Sequence, residues 1–165
     1  MQSIRILGID PGFDRVGVCI LDKNNNKEQL VYSTCLLTNK KDSFEKRLGV
    51  IGDSLEEILI KYNPKELAIE KLFFAKNQTT AINVAEARGV CLYLSHKYGL
   101  SVHEYSPPEI KLAVGGHGRS TKTDIAKMVP KILGKQVESG LLDDELDAIA
   151  IALTHSACRK IGLLK

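Results

Sequence analysis

The sequence predicts an α/β domain: a five-stranded mixed sheet flanked by helices on both faces. Three observations carry that expectation. The opening run Ile4–Ile9 is apolar and rich in β-branched residues, the composition of a central strand covered on both sides. Two strand-like segments follow over short turns, which makes an antiparallel meander. Beyond Ser43, segments of helical period alternate with two short apolar strands, so further strands join a sheet that helices cover. At 165 residues, with 44% hydrophobic and 26% charged content, the chain suits a single domain, residues 1–165, with a real core.

The first strand ends in Asp10-Pro11-Gly12, a tight exit, because proline lacks a donor and glycine tolerates positive φ. Val16–Asp22 and Glu28–Leu37 read as the second and third strands. Ser43 reads as the cap of a helix whose apolar residues, Phe44, Leu48, Ile51, Leu55, Ile58 and Leu59, recur every three or four positions through Tyr62. Asn63-Pro64 stops it, and Glu66–Glu70 is a short fourth strand. A second helix spans Gln78–Tyr98. Its stripe Ala81, Ala85, Gly89 and Leu92 suits close approach to another helix, within the domain or across a dimer. Leu100–Tyr105 is the fifth strand, and Pro107-Pro108 opens a short helical turn to Val114. Gly115-Gly116-His117-Gly118 is mobile by composition. Ser120 or Thr121 caps a helix to Leu133, which Pro130 should kink or break. Asp143 or Asp144 begins the last helix, with Leu146, Ile149, Ile151, Ala152 and Leu153 apolar.

A net charge of +3 does not announce a nucleic-acid binder, but its distribution is uneven. Residues 101–135 carry six Lys/Arg against three acids, and residues 136–147 carry five acids and no base. Adjacent basic and acidic blocks suit a site that takes a polyanion together with cations, or an unevenly charged solvated surface. The four cysteines form no CxxC pair and read as buried apolar residues in a reducing compartment. With no leader and no apolar run near the roughly 18 residues of a membrane span, the expected location is the cytoplasm.

Candidate chemistry lies in the carboxylates. Asp10 and Glu70 both close apolar strands. If those strands are parallel neighbours, both acids emerge at one sheet edge, where α/β proteins place their sites. Asp144 and Asp147 are three apart in a helical first turn, hence on one face, and Asp143 could replace Asp144 there. Singly, each has a plainer role, as turn former or helix cap. Together they would repel one another unless hard divalent cations relieve the repulsion. Mg²⁺ is the expected ion, two per site, with Mn²⁺ as a substitute. His117 reads as a solvated loop residue, and His155 lies too far along its helix to border the acids.

These residues resemble the RuvC family of Holliday-junction resolvases, which have an RNase H-like fold. The resemblance runs from Ile6 to His155 and rests on several segments in order. They are Leu-Gly-Ile-Asp10-Pro-Gly12 with Gly17, Ala-Ile-Glu70-Lys-Leu-Phe73-Phe-Ala-Lys76-Asn77, and Ala87-Arg88-Gly89-Val90. Further on come Tyr105-Ser-Pro-Pro-Glu-Ile-Lys111, Gly116-His-Gly-Arg119-Ser-Thr-Lys122, and Asp144 through His155. It implies a homodimer that cuts four-way junction DNA by two symmetric nicks in recombination and repair. Asp10, Glu70, Asp144 and Asp147 would be its catalytic, metal-binding carboxylates. It also implies that Phe73 lies against junction bases, that Lys111 and Lys122 lie near the cut phosphate, and that Lys76 and Arg119 belong to the DNA-binding set. Branch-migration proteins, RuvA and RuvB, are the partners it suggests. Val16 departs from the family, in which many members have threonine. Two other classes compete: an RNase H-like nuclease acting on structured RNA, and an actin- or Hsp70-like domain that holds nucleotide phosphates on the strand-Asp-turn. The latter repeats its motif in a second domain, for which this chain is too short.

Overall fold

The computed structural model describes residues 3–24, 27–72, 78–134 and 140–161. Its elements follow the expected order: β1 (Ile4–Asp10), β2 (Arg15–Asn24), β3 (Lys27–Leu37), α1 (Phe44–Tyr62), β4 (Glu66–Glu70), α2 (Gln78–Lys97), β5 (Ser101–Tyr105), α3 (Pro107–Gly115), α4 (Lys122–Leu133) and α5 (Asp143–Ile161). The strands form one sheet in the order β3-β2-β1-β4-β5. β2 runs antiparallel to β1 and β3, whereas β4 lies parallel to β1 and β5 parallel to β4.

Strand alternation explains why the opening run is apolar at nearly every position. Leu7 and Ile9 pack with Val18, Ile20, Leu67 and Ile69 under α1 and α2. Ile6 packs with Cys19, Leu21 and Ala68 on the opposite face, under α3, α4 and α5. Side chains alternate faces with a period of two, so the even-numbered positions of β1 and β4 look toward α5. That parity later decides where Asp10 and Glu70 point.

α5 is the principal helix of its layer and is buried continuously from Ala148 to Ser156. Ile149 and Ile151 are fully buried, each burial contributing about 1.5–3 kcal/mol. Two glycines let the helix lie unusually close to the sheet. A Cβ on Gly8 would come within 2.4 Å of the Ala148 carbonyl oxygen, and one on Gly17 within 1.8 Å of that of Asp144. The far end of α5 is tied down by Lys23. Its buried ammonium donates to the Ser156 carbonyl at 2.7 Å and to the Ser156 hydroxyl at 2.8 Å.

Some expectations are modified. α4 continues through Pro130 without a break, because the proline falls in the last turn, where only one amide partner is lost. Thr121, not Ser120, caps α4: it accepts from the Asp124 amide, and Asp124 answers at the Thr121 amide. Ser120 is instead buried and donates to the His117 carbonyl at 2.7 Å. Its hydroxyl occupies the space a Gly115 side chain would need, at 2.1 Å, which seats the start of the glycine-rich segment against it. Ser43 precedes α1 in an extended conformation but makes no side-chain cap bond. In α2 the core face is Ala87, Cys91 and Leu94; Ala81, Ala85 and Leu92 are only half-buried, and Gly89 is exposed.

Candidate active site

β1 and β4 are parallel and in register, with Ile9 beside Ile69. Asp10 and Glu70 follow those residues directly, so their backbones leave the sheet about one strand spacing, roughly 4.8 Å, apart. Both are even-numbered and therefore face α5. On the other side of Asp10 stands Gly17, its partner in β2. Because Gly17 has no side chain, the first turn of α5 settles on the sheet there, and Asp144 is brought over Asp10. Asp147 follows one turn later on the same helix face. Asp143 is exposed, whereas Asp144 is half-buried with its charge acting on Asp10.

The electrostatics confirm that the four acids share one environment. Burial first, then the charges of Asp147, Glu70 and Asp144, raise the Asp10 carboxyl from 3.8 to about 7. Burial and Asp147 raise Glu70 in the same direction. Asp144 Oδ2 is buried without a hydrogen-bond partner among the described residues. Arg15 Nε lies 3.2 Å from it, an ion-pair distance reached without hydrogen-bond alignment. Lys122, the first residue of α4, places its ammonium 2.8 Å from Asp147 Oδ2, and that contact holds the lysine above its ordinary value.

Four carboxylates share only two cationic side chains, Arg15 and Lys122, and one carboxyl is pushed toward neutrality, so the cluster is short of positive charge. The donors are all oxygen, which fits a hard divalent cation such as Mg²⁺. Of the expected DNA-contacting residues, Lys122 sits on the cluster, Lys111 is half-buried on α3, and Arg119 is exposed in the turn before α4. Phe73 and Lys76 lie outside the described residues. His117 is exposed. His155, as expected, does not face the acids.

The contacts of several residues escaped the sequence reading. Arg15 neighbours Asp144, and Arg88 of α2 reaches the Glu70 carbonyl at 3.3 Å while pairing with Glu104. His155 is fully buried, with Nδ1 2.7 Å from the Tyr105 hydroxyl and Nε2 2.6 Å from Glu66 Oε2. Burial lowers it to about 4, against the raising effect of the Glu66 bond. The parity of β4 was the available signal, since Glu66 and Glu70 share a face; the crossing of α5 over β4 and β5 was not readable.

A five-stranded sheet in the order β3-β2-β1-β4-β5, with helices on both faces, defines an RNase H-like domain, here with an acidic cluster at the carboxyl end of its two central parallel strands. The profile of the crossover junction endodeoxyribonuclease RuvC family matches residues 6–155, and the chain belongs to that family. The crossover junction endodeoxyribonuclease RuvC of Petrotoga mobilis is 42% identical over 155 residues, covering 94% of each chain. That of Fusobacterium nucleatum is 41% identical over 152 residues, covering 92% of this chain and 80% of its relative. Among solved structures, Thermus thermophilus RuvC in complex with a Holliday-junction substrate superposes with a TM-score of 0.89 at 32% identity, covering 96% of each chain. The readings as an RNA nuclease or a nucleotide-phosphate-binding domain are not favoured by these relatives.

Proposed function

We propose that this chain is a Mg²⁺-dependent endonuclease that resolves four-way DNA junctions by paired symmetric nicks. The observation that carries the reading is the convergence of Asp10, Glu70, Asp144 and Asp147 around a buried carboxylate oxygen of Asp144 that has no hydrogen-bond donor among the described residues. Bound divalent ions would supply Lewis-acid charge to the phosphodiester and ease deprotonation of the attacking water, with Mn²⁺ able to substitute for Mg²⁺. Asp10 and Glu70, fixed at strand ends, would be the rigid ligands, and Asp144 and Asp147 would complete the set from α5. Lys122 gives its ammonium to Asp147 in the free protein and would turn it to the cut phosphate once cations hold that carboxylate. Phe73, Lys76, Lys111 and Arg119 would contact the DNA around that point.

A junction has approximate twofold symmetry, so a twofold dimer presents one site to each of two opposed strands. The outward face of α2 supports such a dimer. Ile82 and Tyr93 are 56% and 64% exposed there, and a Cβ on Gly89 would meet nothing within 4 Å. Among the described residues no helix is long and apolar enough to cross a membrane, and a DNA substrate supports cytoplasmic work. The test is cleavage of a synthetic junction, duplex DNA and structured RNA side by side. Junction-selective paired nicking with Mg²⁺, abolished by a chelator, supports the reading; equal cleavage of duplex or RNA overturns it.

A further inference from the structure

We propose that Glu66, His103 and His155 form a second, structural metal site, for a borderline divalent ion of the Zn²⁺ class. The three residues come from β4, β5 and α5. Each offers a ligand atom, and these atoms all lie within 4.8 Å of one another. The site is separate from the acidic edge: Glu66 and Glu70 stand at opposite ends of β4, four residues or about 13 Å apart. One carboxylate and two imidazoles form the donor set of three-ligand zinc sites, with solvent in the fourth position. The all-oxygen cluster at the other end of the strand has the opposite preference.

The surroundings are built as ligand supports. A metal-bound histidine characteristically donates its other ring N–H to a fixed acceptor. Nδ1 of His155 lies 2.7 Å from the Tyr105 hydroxyl, which would accept the ring proton once Nε2 holds an ion. Glu66 is steadied in turn through its second oxygen, Oε1, by Arg159. His103 packs against the His155 ring at 4.5 Å, and among the described residues it makes no side-chain hydrogen bond. Its half-buried ring leaves a nitrogen free and opens a path for the ion.

In the metal-free protein, Glu66 Oε2 and His155 Nε2 share a proton at 2.6 Å. Ligand atoms bound at about 2.0–2.1 Å to one tetrahedral ion stand roughly 3.3 Å apart, so the Glu66–His155 pair opens by less than about 1 Å and His103 closes in from within 4.8 Å. As the ion takes Nε2, the single ring proton of the neutral His155 passes to Nδ1, where the Tyr105 hydroxyl accepts it, so no net proton is released and no electron changes hands. An ion there staples the second half of α5 to β4 and β5. It thereby steadies the helix whose first two turns carry Asp144 and Asp147.

The test uses the full chain carrying Asp10→Asn and Asp144→Asn, which disables the acidic edge, so its outcome is independent of the proposed nuclease reading. Titration with Co²⁺, a spectroscopic stand-in for Zn²⁺, should give one ion per chain. The expected signs are the visible absorption of a four-coordinate site, displacement by Zn²⁺, a raised melting temperature, and indifference to Mg²⁺. His103→Gln should weaken binding at least tenfold. Should that variant fold poorly, ¹⁵N shifts of the histidine rings in the parent chain give the same answer, with His103 and His155 moving on Zn²⁺ addition. No visible band, a band unchanged by His103→Gln, or histidine shifts that stay in place would each overturn the site.

Discussion

Asp10 is the residue at which the electrostatics of the cluster concentrate. Its carboxyl is raised to about 7 in the folded protein against an ordinary value of 3.8. A raised acid favours folding while protonated, so this contribution is intact below pH about 4, falls away as pH rises, and is fully lost above about 7. Without metal, Asp10→Asn should therefore match wild type near pH 4 and exceed it near pH 8 by a few kcal/mol at most, at about 1.36 kcal/mol per unit. Chemical denaturation at the two pH values checks this. Mg²⁺ should reverse the order at pH 8 by stabilising wild type alone. His155, held low at about 4, acts in the opposite sense over the same range, so the comparison must be with the variant rather than along one melting curve. Lys122→Ala should leave stability nearly unchanged, since a largely exposed ion pair contributes about 0–1 kcal/mol, yet slow nicking markedly in a single-turnover assay. Asp10 and Glu70 were legible in the sequence because a charge closing an apolar strand is conspicuous. The choice between Asp143 and Asp144 was not, since both begin the same helix and only the seat on Gly17 separates them.

Among the elements, α5 does most to assemble the site, and glycines set its distance from the sheet. Gly17→Ala would thrust a methyl group into the Asp144 carbonyl, at 1.8 Å, and the first turn of α5 would have to lift. The expected cost is about 1–3 kcal/mol of stability, with a loss of nicking out of proportion to it because Asp144 leaves Asp10. Thermal melts and cleavage rates of the same preparation check both halves; full activity in a folded Gly17→Ala protein would contradict the role given to this contact. Element order and type were readable from period and punctuation, since caps, prolines and apolar spacing are local signals. That α4 runs unbroken through Pro130, and that Ser120 packs against Gly115, were not legible for a common reason. These outcomes depend on position within a helix turn and on a buried Ser120, neither of which composition reveals. The Glu66–His103–His155 cluster was hidden because it needs the parity of two strands and the crossing path of a helix at once.

At the scale of the whole molecule, the proposed paired nicking needs two sites facing a symmetric substrate. If the outward face of α2 joins two copies, Ile82→Glu with Tyr93→Glu should yield a folded monomer by sedimentation, and that monomer should lose paired nicking while the carboxylates stay intact. A dimer of unchanged affinity would move the interface elsewhere. Junction binding by the lysines and arginines around the site should weaken steeply with salt. The central claim, that four acidic side chains hold the ions that cut the junction, is tested most directly by single-turnover cleavage of a synthetic four-way junction at pH 8. The account predicts two symmetric nicks by wild type with Mg²⁺ and none with chelator. It also predicts that Asp10→Asn still binds the junction but loses more than the about 10–100-fold in rate that a change beside a metal ligand costs. Wild-type rates from Asp10→Asn, or undiminished cutting in chelator, would contradict it.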